Sequence, residues 1–243
     1  MPLLESPSPP YLLFDCYPFD RGPLPDFETG ASTDTDADGN PNVIGGILKC
    51  TDGVAYGYTG WFLDNWKRLS GFRGAYHYLQ FGQDPRVQAD FYLRIMALAG
   101  GWDARAIMPI VDVELGGERS ANRHASAQQV IDCTTAWAER VRGVTGRRVM
   151  LYGRGAMRDL GICDKMGCGA VWNPSYTASP SMHGLEAWTL DDVVLWQYGG
   201  DGVGDASRHH LPLAIPGLGK IDLSVYVDGA RAPTLESFRR RVI

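Results

Sequence analysis

In the stretch IMPIVDVELGG, residues 107 to 117, two acids flank a valine at the end of an apolar run. Ile107, Met108, Ile110, Val111 and Val113 read as an interior strand. Residues two apart in a strand project from one face, with Cα atoms about 7 Å apart. Asp112 and Glu114 therefore leave the strand end together, as a paired-carboxylate site of the kind used for acid–base chemistry. Asp15, in LLFDCY, stands near the end of the first apolar run, and Asp222, in GKIDLSVYV, in the last. Each acid alone has a structural reading, as a helix cap or an arginine partner. Joint placement at strand ends favours the chemical one. Tyr76, Tyr78, Tyr152, Trp172, Tyr176, Trp196 and Tyr198 also fall late in apolar runs. Some of these pack the core. Aromatic faces among carboxylates also suit sugar rings, whose C–H faces stack on π surfaces.

Eight segments qualify as strands: 11–17, 43–51, 72–81, 106–114, 147–154, 169–176, 193–200 and 220–227. They are short runs rich in apolar, β-branched and aromatic residues, bounded by Gly, Pro or Asp. Helices fall between them. TGWFLDNWKRLSG carries Trp61, Phe62, Asn65 and Leu69 at helical spacing; DPRVQADFYLRIMALAGG opens on Asp-Pro and ends on Gly-Gly. Its expected apolar stripe is Val87, Phe91, Ile95 and Leu98. A third helix, SAQQVIDCTTAWAERVRG, sets Ala127, Val130, Ile131, Thr134, Ala138 and Val141 on one face. Later come a short helix near GAMRDLG and a terminal one in PTLESFRRRVI. The alternation predicts an α/β fold, a TIM-like (β/α) barrel of about eight strands that is short of helices late in the chain. Barrel active sites lie at the C-terminal face of the strands. First and last strands are neighbours in a closed barrel, so Asp15 and Asp222 can meet there. Residues 1–10 read as an irregular lead-in and 11–243 as a single catalytic barrel.

The segments LLFDCYPFDRG, GGILKCTDG, RGAYHYLQFGQDPRVQADFYL, MPIVDVELGG, VMLYG, AVWNPSY, VVLWQYGGDG and KIDLSVYVDG occur in one order. In that order the chain resembles glycoside hydrolase family 25, the Chalaropsis-type lysozymes, over roughly residues 11 to 229. The resemblance implies an irregular eight-stranded barrel and hydrolysis of the β-1,4 bond between N-acetylmuramic acid and N-acetylglucosamine in peptidoglycan. It places the family's acids on Asp15, Asp112, Glu114 and Asp222, with Glu114 as general acid and base. It favours retention through the substrate's own N-acetyl group, Asp112 or Asp222 stabilising the intermediate. The late Trp-Gln-Tyr adds Gln197 to an expected substrate-binding set of Tyr76, Tyr78, Tyr152, Trp172 and Trp196. The chain departs from the family pattern at Cys50, at Asp52 (usually Glu), at WNPSY and in the long connection before Asp222. Spacing on one strand leaves retention and inversion open.

A formal charge of −5 argues against nucleic acid as the main partner. No apolar run approaches the about 20 residues of a membrane span. The N-terminal MPLLESPSPPYLLFDCY lacks a basic start and an h-region. The expectation is synthesis in the bacterial cytoplasm and action on the wall after release, as an endolysin or as part of a phage particle with its other proteins. Five cysteines, an odd number, favour free thiols. DTDADGN, 34–40, has calcium-loop spacing but Gly45 at the twelfth position, and reads as a solvated acidic loop. His77, His124, His183, His209 and His210 show no metal spacing, with His77 packed in its strand and 209–210 in a surface loop. No cofactor or metal is expected, and no Gly-x-Ser-x-Gly elbow or P-loop is present. Two rival readings stand beside the glycosidase: a binding or structural phage component that keeps the barrel, and a metal enzyme using the same four acids as ligands.

Overall fold

The structure is a computed structural model. It describes residues 11–18, 43–200, 202–204, 211, 215, 221–228 and 234–243. The lead-in 1–10, the acidic loop 34–40, the pair His209–His210 and most of the connection before Asp222 lie outside these residues.

Eight strands close a barrel in chain order: β1 (Leu12–Cys16), β2 (Val43–Asp52), β3 (Phe72–Tyr78), β4 (Ile110–Asp112), β5 (Met150–Tyr152), β6 (Ala170–Pro174), β7 (Val193–Gly199) and β8 (Asp222–Tyr226). Among the described residues five α-helices accompany them: α1 (Thr59–Arg68), α2 (Pro85–Leu98), α3 (Ala127–Thr145), α4 (Arg154–Leu160) and α5 (Leu235–Val242). All eight expected strands and all five helices form, several strands shorter than their apolar runs. β1 through β7 are parallel, but β8 is antiparallel to both neighbours, β7 and β1. This reversal puts the beginning of β8, and Asp222 with it, at the C-terminal end of the other strands.

Strand alternation sorts side chains into two cores. Leu13, Ile47, Tyr76, Ile110, Met150, Trp172, Leu195 and Tyr226 fill the barrel interior. Leu12, Phe14, Leu48, Val111, Leu151, Trp196, Tyr198 and Val225 face outward toward the helices and loops. α5 plugs the lower end: Phe238 meets Phe72 and Tyr226 edge-on at 4.8 and 5.0 Å, and Met108 N donates to Val242 O. With its lower end filled, the described barrel holds a cavity at the end that carries the acids.

The helices dock through caps and stripes written in the sequence. Asp84 caps α2, accepting from Arg86 N and Val87 N, and Ser126 with Gln129 forms a capping box on α3. The α2 stripe differs from expectation. Val87 and Leu98 are 53% and 66% exposed, while Gln88, Phe91, Tyr92, Ile95 and Met96 are buried. The helix turns to bring Tyr92 Oη onto Ala75 O at 3.0 Å and Gln88 under β3, polar anchors that apolar periodicity does not record. None of the five cysteines is in a disulfide.

Candidate active site

Four carboxylates meet at the open mouth. Asp15 and Asp222 sit directly opposite each other in the β1–β8 register, and Asp112 ends β4 with Glu114 two residues on. All four line one cavity with Tyr17, Tyr76, Tyr152 and Trp172. Tyr152 and Trp172, adjacent in register, meet at 4.7 Å and 62°, forming an aromatic wall. Trp172 is held by a 2.8 Å bond from its Nε1 to Ser224 Oγ.

The two acid pairs are held differently. Between Asp15 and Asp222 lies the fully buried amide of Gln197: Nε2 donates to Asp15 Oδ1 at 3.0 Å and to Asp222 Oδ2 at 3.4 Å. Its Oε1 accepts from Tyr152 Oη at 2.8 Å and Tyr176 Oη at 3.2 Å, which fixes the amide's orientation. Asp112 is 6% exposed, and its Oδ1 is a buried acceptor with no partner among the described residues. Burial, then the charge of Glu114, pushes the Asp112 carboxyl well above the usual range, with Lys49 opposing. Burial also raises Glu114, again against Lys49. Two carboxylates this close take up protons as a pair rather than singly. The surrounding phenols stay neutral: burial drives Tyr76 and Tyr152 well up and Tyr78 to about 12.

Backbone around the pair is fixed by Asn122, fully buried, whose Nδ2 donates to Glu114 O at 3.0 Å and Leu79 O at 2.7 Å. Its Oδ1 accepts from Phe81 N at 2.9 Å, tying the loops after β3 and β4 together. Gly153, at φ 140°, lets the end of β5 pass against Val113 O, where a Cβ would collide with backbone.

The structure thus brings together Asp15, Asp112, Glu114, Asp222, Tyr76, Tyr152 and Trp172. Three expected binding residues stand elsewhere. Trp196 faces outward, fully buried, donating from Nε1 to Ser175 O at 2.7 Å. Tyr78 is half-buried under the Lys49 ammonium, which lies 4.7 Å from its ring, and does not line the cavity. Gln197 lies behind the carboxylates and positions them. Tyr17, two residues after Asp15, lines the mouth and was not anticipated; its i, i+2 relation to Asp15 was the available signal. Lys49, Asn122 and Ser224 were also missed. Among the described residues, no group of three or more His, Cys, Asp or Glu side chains is arranged to hold a metal ion.

Comparison with known proteins bears on family and fold. Over 114 residues the chain is 29% identical to an N,O-diacetylmuramidase from Chalaropsis sp., covering 44% of this chain. It spans about half, 53%, of that relative. A family 25 glycosyl hydrolase from Bacillus anthracis superposes with a TM-score of 0.66 at 20% identity, over 96% of this chain and 93% of the other. A bacterial lysozyme from Streptomyces coelicolor superposes at 0.64 and 17% identity, over 95% of each chain. At these identities the superpositions establish the fold. The model of glycosyl hydrolases family 25 matches residues 45–205, a span that includes Asp112 and Glu114 and stops short of Asp15 and Asp222, which the barrel closure supplies. The chain belongs to glycosyl hydrolases family 25.

Proposed function

We propose that the chain is a peptidoglycan muramidase that hydrolyses the β-1,4 bond between N-acetylmuramic acid and N-acetylglucosamine, with retention. The observation that carries this reading is the Oδ1 of Asp112, without a partner among the described residues, inside a cavity that Glu114, raised by burial, also lines. A buried carboxylate oxygen without a donor costs free energy until a ligand supplies one. The acetamido N–H of N-acetylmuramic acid is a donor of the right kind. Its bond to Oδ1 stabilises Asp112 as the anion and leaves the pair's proton on Glu114, where catalysis needs it.

Glu114 then protonates the glycosidic oxygen as the C1–O bond breaks. The acetamido carbonyl oxygen bonds to C1 from the opposite face, giving an oxazolinium-like intermediate whose charge Asp112 balances. Water attacks C1, the carbonyl oxygen leaves, and the water's proton passes to Glu114. Asp15 and Asp222, held by Gln197, place carboxyl groups beside the sugar that becomes positive. Tyr152 and Trp172 offer faces for its C–H surface.

The test is reducing-end release from purified peptidoglycan by the parent and by Glu114→Gln. Release by the parent on muramic acid, reduced about 100-fold or more in the variant, supports the reading. A folded parent that releases nothing from several wall types refutes it and favours a binding or structural barrel. A phage-lysin setting belongs to the same proposal, since such a lysin must open this polymer. Finding the protein with purified particles or in host lysate, and nowhere else, is its check.

A further inference from the structure

Among the described residues Lys49 is the cation whose charge bears on both acids of the pair, yet acid–base chemistry does not require it. It points into the barrel from β2, in register with Tyr76. Its ammonium is tethered on one side to Asp52 Oδ2 at 2.7 Å. On the other it lies over the rings of Tyr78 at 4.7 Å and Tyr56 at 5.6 Å. Tyr78 is the register partner of Asp112 on the next strand, so the tether holds the positive charge beside the pair without engaging either acid.

The tether is itself anchored from beneath. Asp52 Oδ1 accepts from Gln80 Nε2 at 2.8 Å. The Gln80 backbone exchanges bonds with the Gln88 amide, whose Oε1 also faces His77 Nε2 at 3.1 Å. His77 Nδ1 returns to Thr51 Oγ1 at 2.8 Å, next to Asp52 in the chain. A partly buried ring of polar bonds therefore fixes the carboxylate that fixes the ammonium. A lysine free to rotate would collapse onto Asp112 or Glu114 and hold both as anions, leaving no proton for a leaving group.

We infer that Lys49, restrained by Asp52, is a positioning residue that sets the pH window in which the Asp112–Glu114 pair works. The inference rests on the glycosidase reading above. Lys49 opposes the rise of both acids, and Asp52 adds to that of Asp112. Of the other groups facing the pair, Asp15 on β1 and Asp222 on β8 are carboxylates bridged by Gln197. Tyr76, Tyr78 and Tyr152, on β3 and β5, have raised phenols and carry no charge. His77, with its pKa pushed down to about 4, is neutral behind Asp52.

The experiment is the pH profile of reducing-end release from peptidoglycan for the parent, Lys49→Met, Lys49→Arg and Asp52→Asn. Removing the cation moves both limbs up by about one pH unit. Asp52→Asn removes a negative charge and frees the cation, so it moves both limbs down. Lys49→Arg keeps the parental limbs. Adjacent substitutions with opposite displacements are not produced by loosening of the fold. Limbs that stay in place, move the same way in Lys49→Met and Asp52→Asn, or shift as far in Lys49→Arg as in Lys49→Met overturn the inference. If Lys49→Met does not fold, the direction of Asp52→Asn decides alone. An inactive parent refutes the glycosidase reading instead, so the two failures are distinct.

Discussion

His77 provides a quantitative test of how that polar ring is protonated. The imidazole is fully buried, stacked on Trp137 at 5.4 Å and 14°, with Tyr92 edge-on at 6.2 Å. Gln88 Nε2 donates to Gln80 O and Gln83 O, and Gln80 N donates to Gln88 Oε1. Gln88 Oε1 is thus fixed as an acceptor, so His77 carries its proton on Nε2, and Nδ1 accepts from the Thr51 hydroxyl. A second proton would sit on a buried nitrogen already used as an acceptor. Burial accordingly lowers the histidine from 6.5 to about 4. Below pH 6.5 the unfolded chain binds a proton that the folded chain refuses, so stability falls as pH drops from 6.5 toward 4 and levels off below. The gap is worth about 3 kcal/mol, of which about 2.5 is lost by pH 4.5.

His77→Phe keeps an aromatic ring against Trp137 and removes the titration. At pH 7.5 the variant loses both side-chain bonds and leaves the Thr51 hydroxyl unsatisfied, a cost of about 2 kcal/mol. At pH 4.5 the parent carries its histidine penalty and the variant does not, so the difference falls to about zero or reverses. Asp112 and Glu114 contribute with the opposite sign, since acids raised in the folded state add stability as pH falls. Both proteins share that contribution, and it cancels in the difference. Urea unfolding of parent and variant at the two pH values reads the result. A difference constant to within about 0.5 kcal/mol refutes the assignment of a neutral, Nε2-protonated His77.

Asn122→Ala removes three hydrogen bonds, two of them buried, that join the loops after β3 and β4. A loss of about 2 to 4 kcal/mol in denaturant unfolding is expected, with kcat falling more than KM rises because the Glu114 backbone loses its support. Stability within about 0.5 kcal/mol of the parent counts against that role. EDTA leaves the rate of reducing-end release unchanged, since the acids act through protons and charge. Loss of activity restored by a divalent cation sinks that account.

The barrel was legible because each strand is a short apolar run ended by Gly, Pro or Asp, and each long helix opens on a capping residue. The carboxylate pair was legible through parity alone: Asp112 and Glu114 share a face because they are two apart. Parity also explains the misplacement of Trp196. In Trp196-Gln197-Tyr198 the side chains alternate, so one face takes the amide and the other takes both rings. Aromatic preference selects the rings for the cleft, whereas the cleft side takes the amide that binds Asp15 and Asp222. Lys49 and Asp52 were hidden for a related reason. Three residues apart in a regular strand, they face opposite ways; the irregularity between Lys49 and Thr51 in the β2–β3 register returns Asp52 to the lysine's side. The sequence carries no mark of that bulge.

Strand direction was the other hidden quantity, and the site depends on it. Asp222 begins β8, so in an all-parallel barrel it would lie at the closed end beside Phe238. The antiparallel turn of β8 carries it to the open end, opposite Asp15. The same reversal creates a problem that the β4 pair does not have. Two cross-strand carboxylates repel each other across a sheet, and neither has an alternative position while its strand is paired. The structure answers with a neutral donor, Gln197, whose two N–H groups serve both acids without adding charge. At Asp112 and Glu114 it uses a restrained cation held off the pair instead. On the mechanism proposed above the difference follows from the work of each pair: a donor bound directly to an acid favours its anion, and Gln197 is such a donor to Asp15 and Asp222. A pair that must give up and recover a proton in every cycle needs its positive neighbour close, but tied to something else.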